Sequence, residues 1–389
     1  MKRVIVLYGL RRTGKTYILY SLFLKNPAPC LYIDFEDERL ANLQTKDLDL
    51  IREAFFELYP QATDKNCLFL LDEVHKIEGW EKFARRMVEK ENIRVFVAGS
   101  SSKLKPSKIK STLRGRYWSI EIFPFSFKEL VKLKVSQDIS TILYGRERMK
   151  LPSLFSEYLQ WGGFPEVILA EDWERRKIIK EYMDAIFFRD LVEEYKITNI
   201  PLLKALQEAL FSSFSAKFSL SSFYTKMKGQ FPFSKDTLYR YYQFFLESML
   251  IHETKKYTSS PYKRLKTIPK LYTPDNSLAK RVTTKDTGKL LENLIHQELR
   301  RRNHDLYYFE DDGECDFIAV KERKTELFQV CHHLEETNIK REINGVLKAG
   351  KKLKIHKGTI ITSEDEEIIK EKGMQIKVTP AWKWLLEQE

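Results

Sequence analysis

Apolar and polar residues follow two different periods over the first third of the chain. Short runs rich in β-branched and aromatic residues, typical of strands, alternate with longer stretches that have apolar residues three or four positions apart, typical of helices. The predicted strands cover residues 4–8, 31–35, 67–71, 94–98 and 119–123. The predicted helix over residues 15–25 places Ile18, Leu19, Leu22 and Phe23 on one side. This alternation predicts an α/β fold built on a parallel sheet flanked by helices.

The pattern becomes helical between about residues 150 and 250. Three successive helices are predicted over residues 200–213, 219–227 and 235–250, and Ser234 is the predicted N-cap of the last one. The buried stripe predicted for that helix consists of Leu238, Tyr241, Phe245 and Met249. Two strand-like segments, 251–257 and 270–273, follow and are joined by a basic loop. Three helices and a basic hairpin predict a winged helix.

A new α/β pattern begins at residue 286. It starts with a predicted helix over residues 289–302, continues with a strand pair over 315–321 and 326–331, and ends with an αβ unit near Val378. We therefore expect a separate small α/β domain in this part of the chain.

Composition limits the class of protein. The chain has 389 residues, 43% hydrophobic and 31% charged, which suggests two or three domains. No apolar run approaches the roughly 20 residues that span a bilayer, and the apolar start lacks the features of a signal peptide. We therefore expect a cytoplasmic protein that does not bind membranes. Cys30, Cys67, Cys315 and Cys331 show neither metal-binding nor disulfide spacing.

The formal net charge of +12 is concentrated in two stretches. The first contains Lys103, Lys105, Lys108, Lys110, Arg114 and Arg116, and the second contains Lys255, Lys256, Lys263, Arg264, Lys266 and Lys270. Such stretches indicate binding of a polyanion, either a nucleotide or a nucleic acid. The alternative is a lysine- and glutamate-rich surface, as in heat-adapted organisms.

A complete phosphate-binding loop lies between the first predicted strand and the first predicted helix. It consists of Gly9, Leu10, Arg11, Arg12, Thr13, Gly14, Lys15 and Thr16. The glycines let backbone N–H groups point at phosphates, and the helix N-terminus adds partial positive charge. Lys15 is predicted to reach the β- and γ-phosphates of ATP, and Thr16 to bind Mg²⁺ through its hydroxyl.

A pair of carboxylates follows the buried run at residues 68–71. Asp72 comes at the end of this predicted strand, where ligands bind in open α/β sheets, and is the predicted magnesium ligand. Glu73 is placed to polarise the water that attacks ATP. The alternative for such a pair is a solvated turn.

Two further sites are candidates for catalysis. Ser100, or Ser101 beside it, follows another buried strand and is a candidate sensor of the γ-phosphate, or else a helix N-cap. Arg114 or Arg116 is a candidate finger that completes the site of a neighbouring subunit, or else part of a surface salt bridge.

The order of these motifs resembles that of prokaryotic AAA+-like ATPases common in archaea. The resemblance rests on GLRRTGKT, LLDEVHKIEGWE, VAGSSSKL, LRGR and IFPFSFKEL, and continues through YLQWGGFPEV, FFRDLVEEY, TLYRYYQFFLES, KLYTPDNSLA and LLENLIHQEL. It implies an ATPase core at 1–135, a helical linker or lid at 136–197, a winged helix at 198–285, and a PD-(D/E)xK nuclease-like domain at 286–389. It also implies that Lys15, Thr16, Asp72 and Glu73 are the ATPase residues, with Ser100 as sensor and Arg114 or Arg116 as finger.

The last domain departs from the nuclease pattern. Glu292 and Asp316 match the first two positions, but Gln329 and Cys331 stand where an acid and a lysine belong. Side chains two residues apart share one face of a strand, so the loss of both groups leaves no cation there. We therefore interpret this domain as a binding or assembly module without catalytic function.

The predicted function is that of a magnesium-dependent ATPase with slow turnover, coupled to non-specific DNA engagement or to assembly with itself or a protein partner. Lys235, Arg240 and the basic loop at residues 255–270 are the candidate DNA contacts. One alternative is a nucleotide-dependent regulatory scaffold that recognises a protein and turns over little ATP. Another is an ATP-dependent nuclease.

Overall fold

A computed structural model describes residues 2–62, 67–99, 101–135, 138–230, 232–279 and 286–387. The fold is α/β, as predicted, with a parallel sheet near the N-terminus, a helical middle and a second sheet toward the C-terminus. Two compact units are present. The first contains the chain up to Pro124 together with Glu247–Met249, and the second contains Phe125–Leu246 and Leu250–Glu389.

Five parallel strands form the sheet of the first unit. They are β1 (Val4–Tyr8), β2 (Cys30–Asp34), β3 (Leu68–Asp72), β4 (Arg94–Ala98) and β5 (Tyr117–Glu121). Their order is β2-β3-β4-β1-β5, and every neighbouring pair is parallel. All five predicted strands are confirmed; β1 and β4 have the predicted bounds, and the other three are shifted by one or two residues.

The helices of the first unit cover both faces of this sheet. They are α1 (Lys15–Lys25), α2 (Asp47–Leu58), α3 (Trp80–Glu89), α4 (Ser101–Leu104) and α5 (Pro106–Ile109), with 3-10 turns at Glu38–Leu40 and Val74–Lys76. On one face Leu19 of α1 packs with Leu7 and Leu70. Phe23 was predicted to lie on the buried side of α1, and this prediction is wrong because Phe23 is 41% exposed.

The parallel direction of the strands brings the phosphate-binding loop and Asp72 to the same edge of the sheet. The carboxyl ends of β1, β3 and β4 lie at the same edge, because all strands run in one direction. Here β1 is followed by the phosphate-binding loop and α1, and β3 ends at Asp72. Motifs that are about 60 residues apart in the sequence are thereby brought to one edge of the sheet.

Helices make up the first half of the second unit. They are α6 (Phe127–Val135), α7 (Ile139–Tyr144), α8 (Leu151–Trp161), α9 (Pro165–Leu169), α10 (Asp172–Ala185), a π-helix (Ile186–Glu193), α11 (Ile200–Ser212), α12 (Leu220–Met227) and α13 (Lys235–Glu247), with a 3-10 turn at Arg146–Lys150. Ser234 caps α13 as predicted, since its hydroxyl accepts the N–H of Thr237 at 3.1 Å. The predicted stripe of α13, from Leu238 to Met249, is buried.

A nine-stranded sheet occupies the rest of the second unit. Its strands are β6 (Ala216–Lys217), β7 (His252–Lys256), β8 (Lys270–Tyr272), β9 (Asp305–Glu310), β10 (Glu314–Lys321), β11 (Lys324–Val330), β12 (Lys357–Thr362), β13 (Glu367–Glu371) and β14 (Met374–Pro380). The helices between and after them are α14 (Pro261–Leu265), α15 (Asn276–Ala279), α16 (Thr287–Arg301), α17 (Ile339–Leu353) and α18 (Ala381–Leu386). The strand order is β13-β14-β12-β11-β10-β9-β7-β8-β6.

This sheet runs across a predicted domain boundary. The predicted hairpin is present, because β7 and β8 pair antiparallel. However, β7 also pairs in parallel with β9, through Lys255 opposite Tyr307 and Lys256 opposite Tyr308. The strands of the predicted winged helix and those of the predicted C-terminal domain therefore form one continuous sheet. The domain ranges and the winged-helix and nuclease-like assignments stay predictions.

A buried hydrogen-bond network holds the end of α8 against the segment after β8. One carboxylate oxygen of Asp275 accepts the N–H of Gly163 at 2.7 Å, and the other accepts the N–H and hydroxyl of Ser277 at 2.9 and 2.6 Å. Asn276 donates to the carbonyls of Leu159 and Leu290, both at 3.0 Å. Because buried polar groups without partners are costly, this network strongly specifies how the two segments pack.

Within the described ranges, every helix is either too short or too polar to cross a lipid bilayer.

Candidate nucleotide-binding site

The loop between β1 and α1 has the backbone conformation that its glycines allow. Gly9 has φ 149°, and a Cβ atom at this position would lie 2.3 Å from the carbonyl oxygen of Ile122. Gly14 has φ 96° and is the N-cap of α1, with nothing within 4 Å of the place where a Cβ would stand. Gly9 is thus required by close packing, whereas Gly14 is required by its backbone angle and leaves open space over the loop.

The side chain of Lys15 is a buried cation that contacts the backbone of this loop. Its side chain lies at the first residue of α1, and the residue is 7% exposed. The ammonium group donates to the carbonyl oxygens of Gly9 at 3.0 Å and Leu10 at 2.7 Å, and the hydroxyl of Thr13 donates to the same Leu10 oxygen at 3.0 Å. A buried ammonium beside a helix N-terminus makes a site for an anion with several negative oxygens, such as a polyphosphate.

Asp72 lies at the end of β3 and is 2% exposed. One of its oxygens accepts the N–H of Glu73 at 3.0 Å, and the hydroxyl of Tyr32 lies 3.4 Å from the other. Burial raises the pKa of Asp72, and a hydrogen bond from the side chain of Thr16 opposes this rise. Thr16 and Asp72 are therefore close neighbours, although they come from different motifs.

This pair of side chains fits a magnesium ion. Mg²⁺ prefers hard oxygen ligands and is commonly bound by one or two protein oxygens together with substrate phosphates. The Thr16 hydroxyl and the Asp72 carboxylate supply two such oxygens next to the loop, as their mutual hydrogen bond indicates. The assignment of Thr16 and Asp72 as magnesium ligands stays a prediction.

Glu73 occupies a strained position directly after Asp72. Its φ is 47°, in the left-handed region that residues with a side chain seldom adopt, and it starts the 3-10 turn at Val74–Lys76. Burial raises the pKa of Glu73, and the charge of Lys15 opposes the rise. The carboxylate therefore lies within the electrostatic reach of the loop lysine and is partly shielded from water.

His75 contacts Glu73 and was not anticipated from the sequence. Its Nδ1 atom lies 3.3 Å from Oε2 of Glu73. Burial lowers the pKa of His75 to about 4, helped by the charges of Lys76 and Arg11, so the ring is neutral near pH 7. A Cβ on Gly99 would lie 2.7 Å from Nδ1, so the ring fits there because residue 99 is glycine. The only signal in the sequence was the position of His75 two residues after the acidic pair.

Asp34, at the end of β2, is a second residue near the site that was not predicted from the sequence. It lies opposite Asp72 in the register of β2 and β3, and its charge raises the pKa of Asp72. Asp34 lies within a predicted strand, and neighbouring parallel strands end at the same edge of a sheet. Its place near Asp72 could have been predicted only if β2 had been known to lie next to β3.

Comparison with known proteins identifies the family. The chain is 37% identical over 404 aligned residues to "Uncharacterized protein MJ1544" of the archaeon Methanocaldococcus jannaschii, covering 99% of this chain and 88% of that protein. The chain belongs to the family of this archaeal protein. Residues 1–131 match the AAA domain family, and residues 152–289 match a domain of unknown function, DUF8612. The first unit is thus a P-loop domain of the AAA ATPase type.

More distant likenesses extend to bacteria and to solved structures. An uncharacterized protein of Haemophilus influenzae is 27% identical over 342 residues, covering 85% of this chain and 83% of that protein. The Walker-type ATPase PABY2304 of Pyrococcus abyssi is 14% identical, with 72% of this chain and 90% of that chain covered and a TM-score of 0.47. At that TM-score the structural likeness carries no conclusion about function.

The two candidate finger arginines lie at the other edge of the AAA domain. They precede β5, and the N–H of Val4, the first residue of β1, donates to the carbonyl of Arg116 at 3.0 Å. Arg116 therefore lies at the start of β1 and the phosphate-binding loop at its end, and the strand between them is about 13 Å long. Arg114 is exposed with φ 47°, and Arg116 forms an ion pair with Glu89 at 3.1 Å. A contribution to catalysis would have to be made to another copy of the chain.

The sensor candidate Ser100 lies outside the described residues, so its predicted role stays a prediction. The end of the preceding strand is described. β4 ends at Ala98, between β1 and β3, and Gly99 follows it at the same edge as the loop and Asp72.

Proposed function

We propose that the AAA domain binds MgATP through the loop Gly9–Thr16 and hydrolyses it with Glu73 as the general base. The observation that supports this proposal is the convergence of the Lys15 ammonium, the Thr16–Asp72 pair and Glu73 at the carboxyl edge of one sheet. An ammonium, a hydroxyl–carboxylate pair and a second carboxylate are the groups that hydrolysis of a phosphoanhydride needs.

Each residue of the site has one role in this proposal. The ammonium of Lys15 leaves the carbonyls of Gly9 and Leu10 and binds phosphate oxygens, where it offsets the charge that develops during transfer. Thr16 and Asp72 would hold the magnesium ion, which when bound would offset the negative charge of the phosphate oxygens. Glu73 accepts the proton of the attacking water, because its carboxylate directly follows Asp72 and stands within reach of the same edge.

Turnover by a single chain is expected to be slow. Arg114 and Arg116 lie at the opposite edge of the sheet from their own loop. We therefore propose that full activity requires assembly, in which an arginine of one copy reaches the site of the next.

The Lys15→Ala variant tests nucleotide binding. We expect its affinity for MgATP to fall by roughly 10- to 100-fold, because one charge-assisted interaction with phosphate is lost. Titration calorimetry with MgATP measures this change. Lys25→Ala is the matched control, since Lys25 is exposed at the other end of the same helix and its loss should leave the affinity unchanged. Wild-type affinity in Lys15→Ala would contradict the proposed site.

We further propose that duplex DNA engages the chain through the basic loop between β7 and β8. Most of the cations counted between residues 255 and 270 have partners inside the protein. Lys256 pairs with Asp311 at 3.2 Å, Lys270 is buried, and Arg264 donates to the carbonyl of Thr258 at 2.9 Å. Lys263 and Lys266 are exposed and remain the candidate phosphate contacts. The proposed DNA-binding surface is therefore smaller than the charge count suggested.

Replacing Lys263 and Lys266 with alanine tests this surface. We expect weaker binding to duplex DNA and a plot of log affinity against log salt whose slope is reduced by roughly two, because two phosphate contacts are lost. Fluorescence anisotropy at several salt concentrations gives both values. Lys351 and Lys370, exposed on α17 and β13, provide the control pair. Equal effects from both pairs, or none from either, would favour a scaffold that recognises a protein instead.

A further inference from the structure

A buried lysine lies among three carboxylates in the second unit. The ammonium of Lys270, on β8, lies 3.0 Å from Asp316 and 2.8 Å from Glu314, both on β10, and 3.3 Å from Glu292 on α16. The lysine is 5% exposed and Asp316 is 6% exposed. Lys270 therefore supplies a cation next to Glu292 and Asp316, where the sequence analysis expected none. That expectation was wrong, because the cation comes from another strand of the same sheet.

Other hydrogen bonds engage the oxygens that point into this cluster. The second oxygen of Asp316 accepts the N–H of Val330 at 3.0 Å. Tyr272 donates to the same oxygen of Glu292 that faces Lys270, at 2.6 Å. The amide oxygen of Gln329, at the position of the missing acid, accepts the N–H of Asp316 at 3.1 Å. Both oxygens of Asp316, one oxygen of Glu292 and the amide oxygen of Gln329 thus have hydrogen-bond partners within the protein.

The charges of the cluster depend on Lys270. Burial lowers the pKa of Lys270, but the charges of Asp316 and the other carboxylates raise it by more than burial lowers it. The net pKa is therefore raised, and the amine of Lys270 stays protonated. Burial raises the pKa of Glu292 and the charge of Asp316 adds to this rise, whereas the charge of Lys270 opposes it. A charged carboxylate that is buried needs a positive charge nearby. If one member of a buried ion pair is removed, the charge of the other member is left uncompensated.

The residues present do not fit the metal that the nuclease-like resemblance implies. Such a metal would take oxygens of Glu292 and Asp316 together with the acid that Gln329 replaces. The ammonium of Lys270 stands between the first two. Among the side chains that the structure describes, no group of three or more His, Cys, Asp or Glu is arranged to hold a metal ion.

We propose that the ammonium of Lys270 takes the place of a divalent cation between Glu292 and Asp316, so that the second unit carries an internal cation and recruits no metal. The cluster then serves to join the β7–β8 hairpin to α16 and β10. The proposal does not rest on the ATPase assignment, because every group in it belongs to the second unit.

Manganese binding by the full chain without nucleotide tests this proposal, with bound Mn²⁺ counted by electron paramagnetic resonance. The reference variant is Asp72→Asn, which removes the carboxylate of the loop site. We expect this variant to bind no Mn²⁺ at the cluster. Adding Lys270→Met, which removes the ammonium group but keeps an unbranched apolar side chain of nearly the same length, should create one Mn²⁺ site. A further Asp316→Asn change should abolish that site.

Several outcomes would overturn the proposal. One is a Mn²⁺ ion bound by Asp72→Asn that disappears with Asp316→Asn, because a metal would then share the cluster with Lys270. Another is a folded Lys270→Met variant that gains no site. If Lys270→Met unfolds, restoration of its folding by Mn²⁺ supports the proposal and failure of restoration contradicts it. Cleavage of plasmid DNA by the wild-type chain that Asp316→Asn abolishes would also contradict it.

Discussion

Glu73→Gln is expected to leave MgATP binding intact and to slow hydrolysis by about 10²- to 10⁴-fold. The amide has the size of the carboxylate, so it retains the contact with His75 and the strained turn after β3. It cannot accept a proton from the attacking water. Lys15, Thr16 and Asp72 remain in place to hold the nucleotide. Phosphate release measured alongside nucleotide affinity separates the two effects.

Glu78→Gln is the matched control for this prediction. Glu78 is an exposed acid five residues further along the chain, and its conversion to the amide removes the same charge. We expect hydrolysis by this variant to equal that of the wild type. If Glu73→Gln also hydrolysed ATP at the wild-type rate, another group would have to activate the water. If it lost nucleotide binding instead, Glu73 would belong to the binding site and not to the chemical step.

Gly162→Ala is expected to destabilise the second unit by about 3 kcal/mol or more. Gly162 ends α8 with φ 73°, a region that alanine adopts only with strain. A Cβ atom there would lie 1.7 Å from Oδ1 of Asp275. That carboxylate is buried and binds Gly163 and Ser277, so it has no space into which to move. The substitution therefore breaks the network that holds α8 to the segment after β8.

Urea unfolding followed by circular dichroism measures this loss. Gly229→Ala is the control, because nothing lies within 4 Å of the place where its Cβ would stand. We expect that variant to unfold within about 0.5 kcal/mol of the wild type. An unchanged unfolding midpoint for Gly162→Ala would mean that Asp275 can leave its partners without cost.

Local patterns were sufficient to predict the five strands of the first sheet and the three helices between residues 200 and 250. β3 is buried along its whole length, and most of β1 and β4 is buried, so residues such as Val95 and Val97 mark β4 without knowledge of its neighbours. The cap of α13 was predictable because Ser234 acts on residues three positions away. The main error within a helix was Phe23, since the apolar period of α1 extends beyond the side that the sheet covers.

Contacts between distant strands were not predictable in this way. The loop and the acidic pair were found because each has a local signature, whereas Asp34 and His75 have none. Asp34 joins the site only because β2 lies next to β3, and strand order is decided by packing across the whole unit. Lys270 was counted as part of a basic surface loop, although the strand that contains it places its ammonium among buried carboxylates. Charge counted along a sequence does not show which charges neutralise each other in the fold.

The pairing of β7 with β9 has a consequence for how this protein can be divided. A fragment that starts at residue 286 would keep β9 but lose the strand that covers one of its edges. That edge would present free backbone N–H and C=O groups, which invite pairing with other chains. The same fragment would lose Lys270 and leave Glu292 and Asp316 without their cation. A cut between the two predicted domains is therefore expected to yield an aggregating piece, and the smallest part able to fold alone must begin before the β7–β8 hairpin.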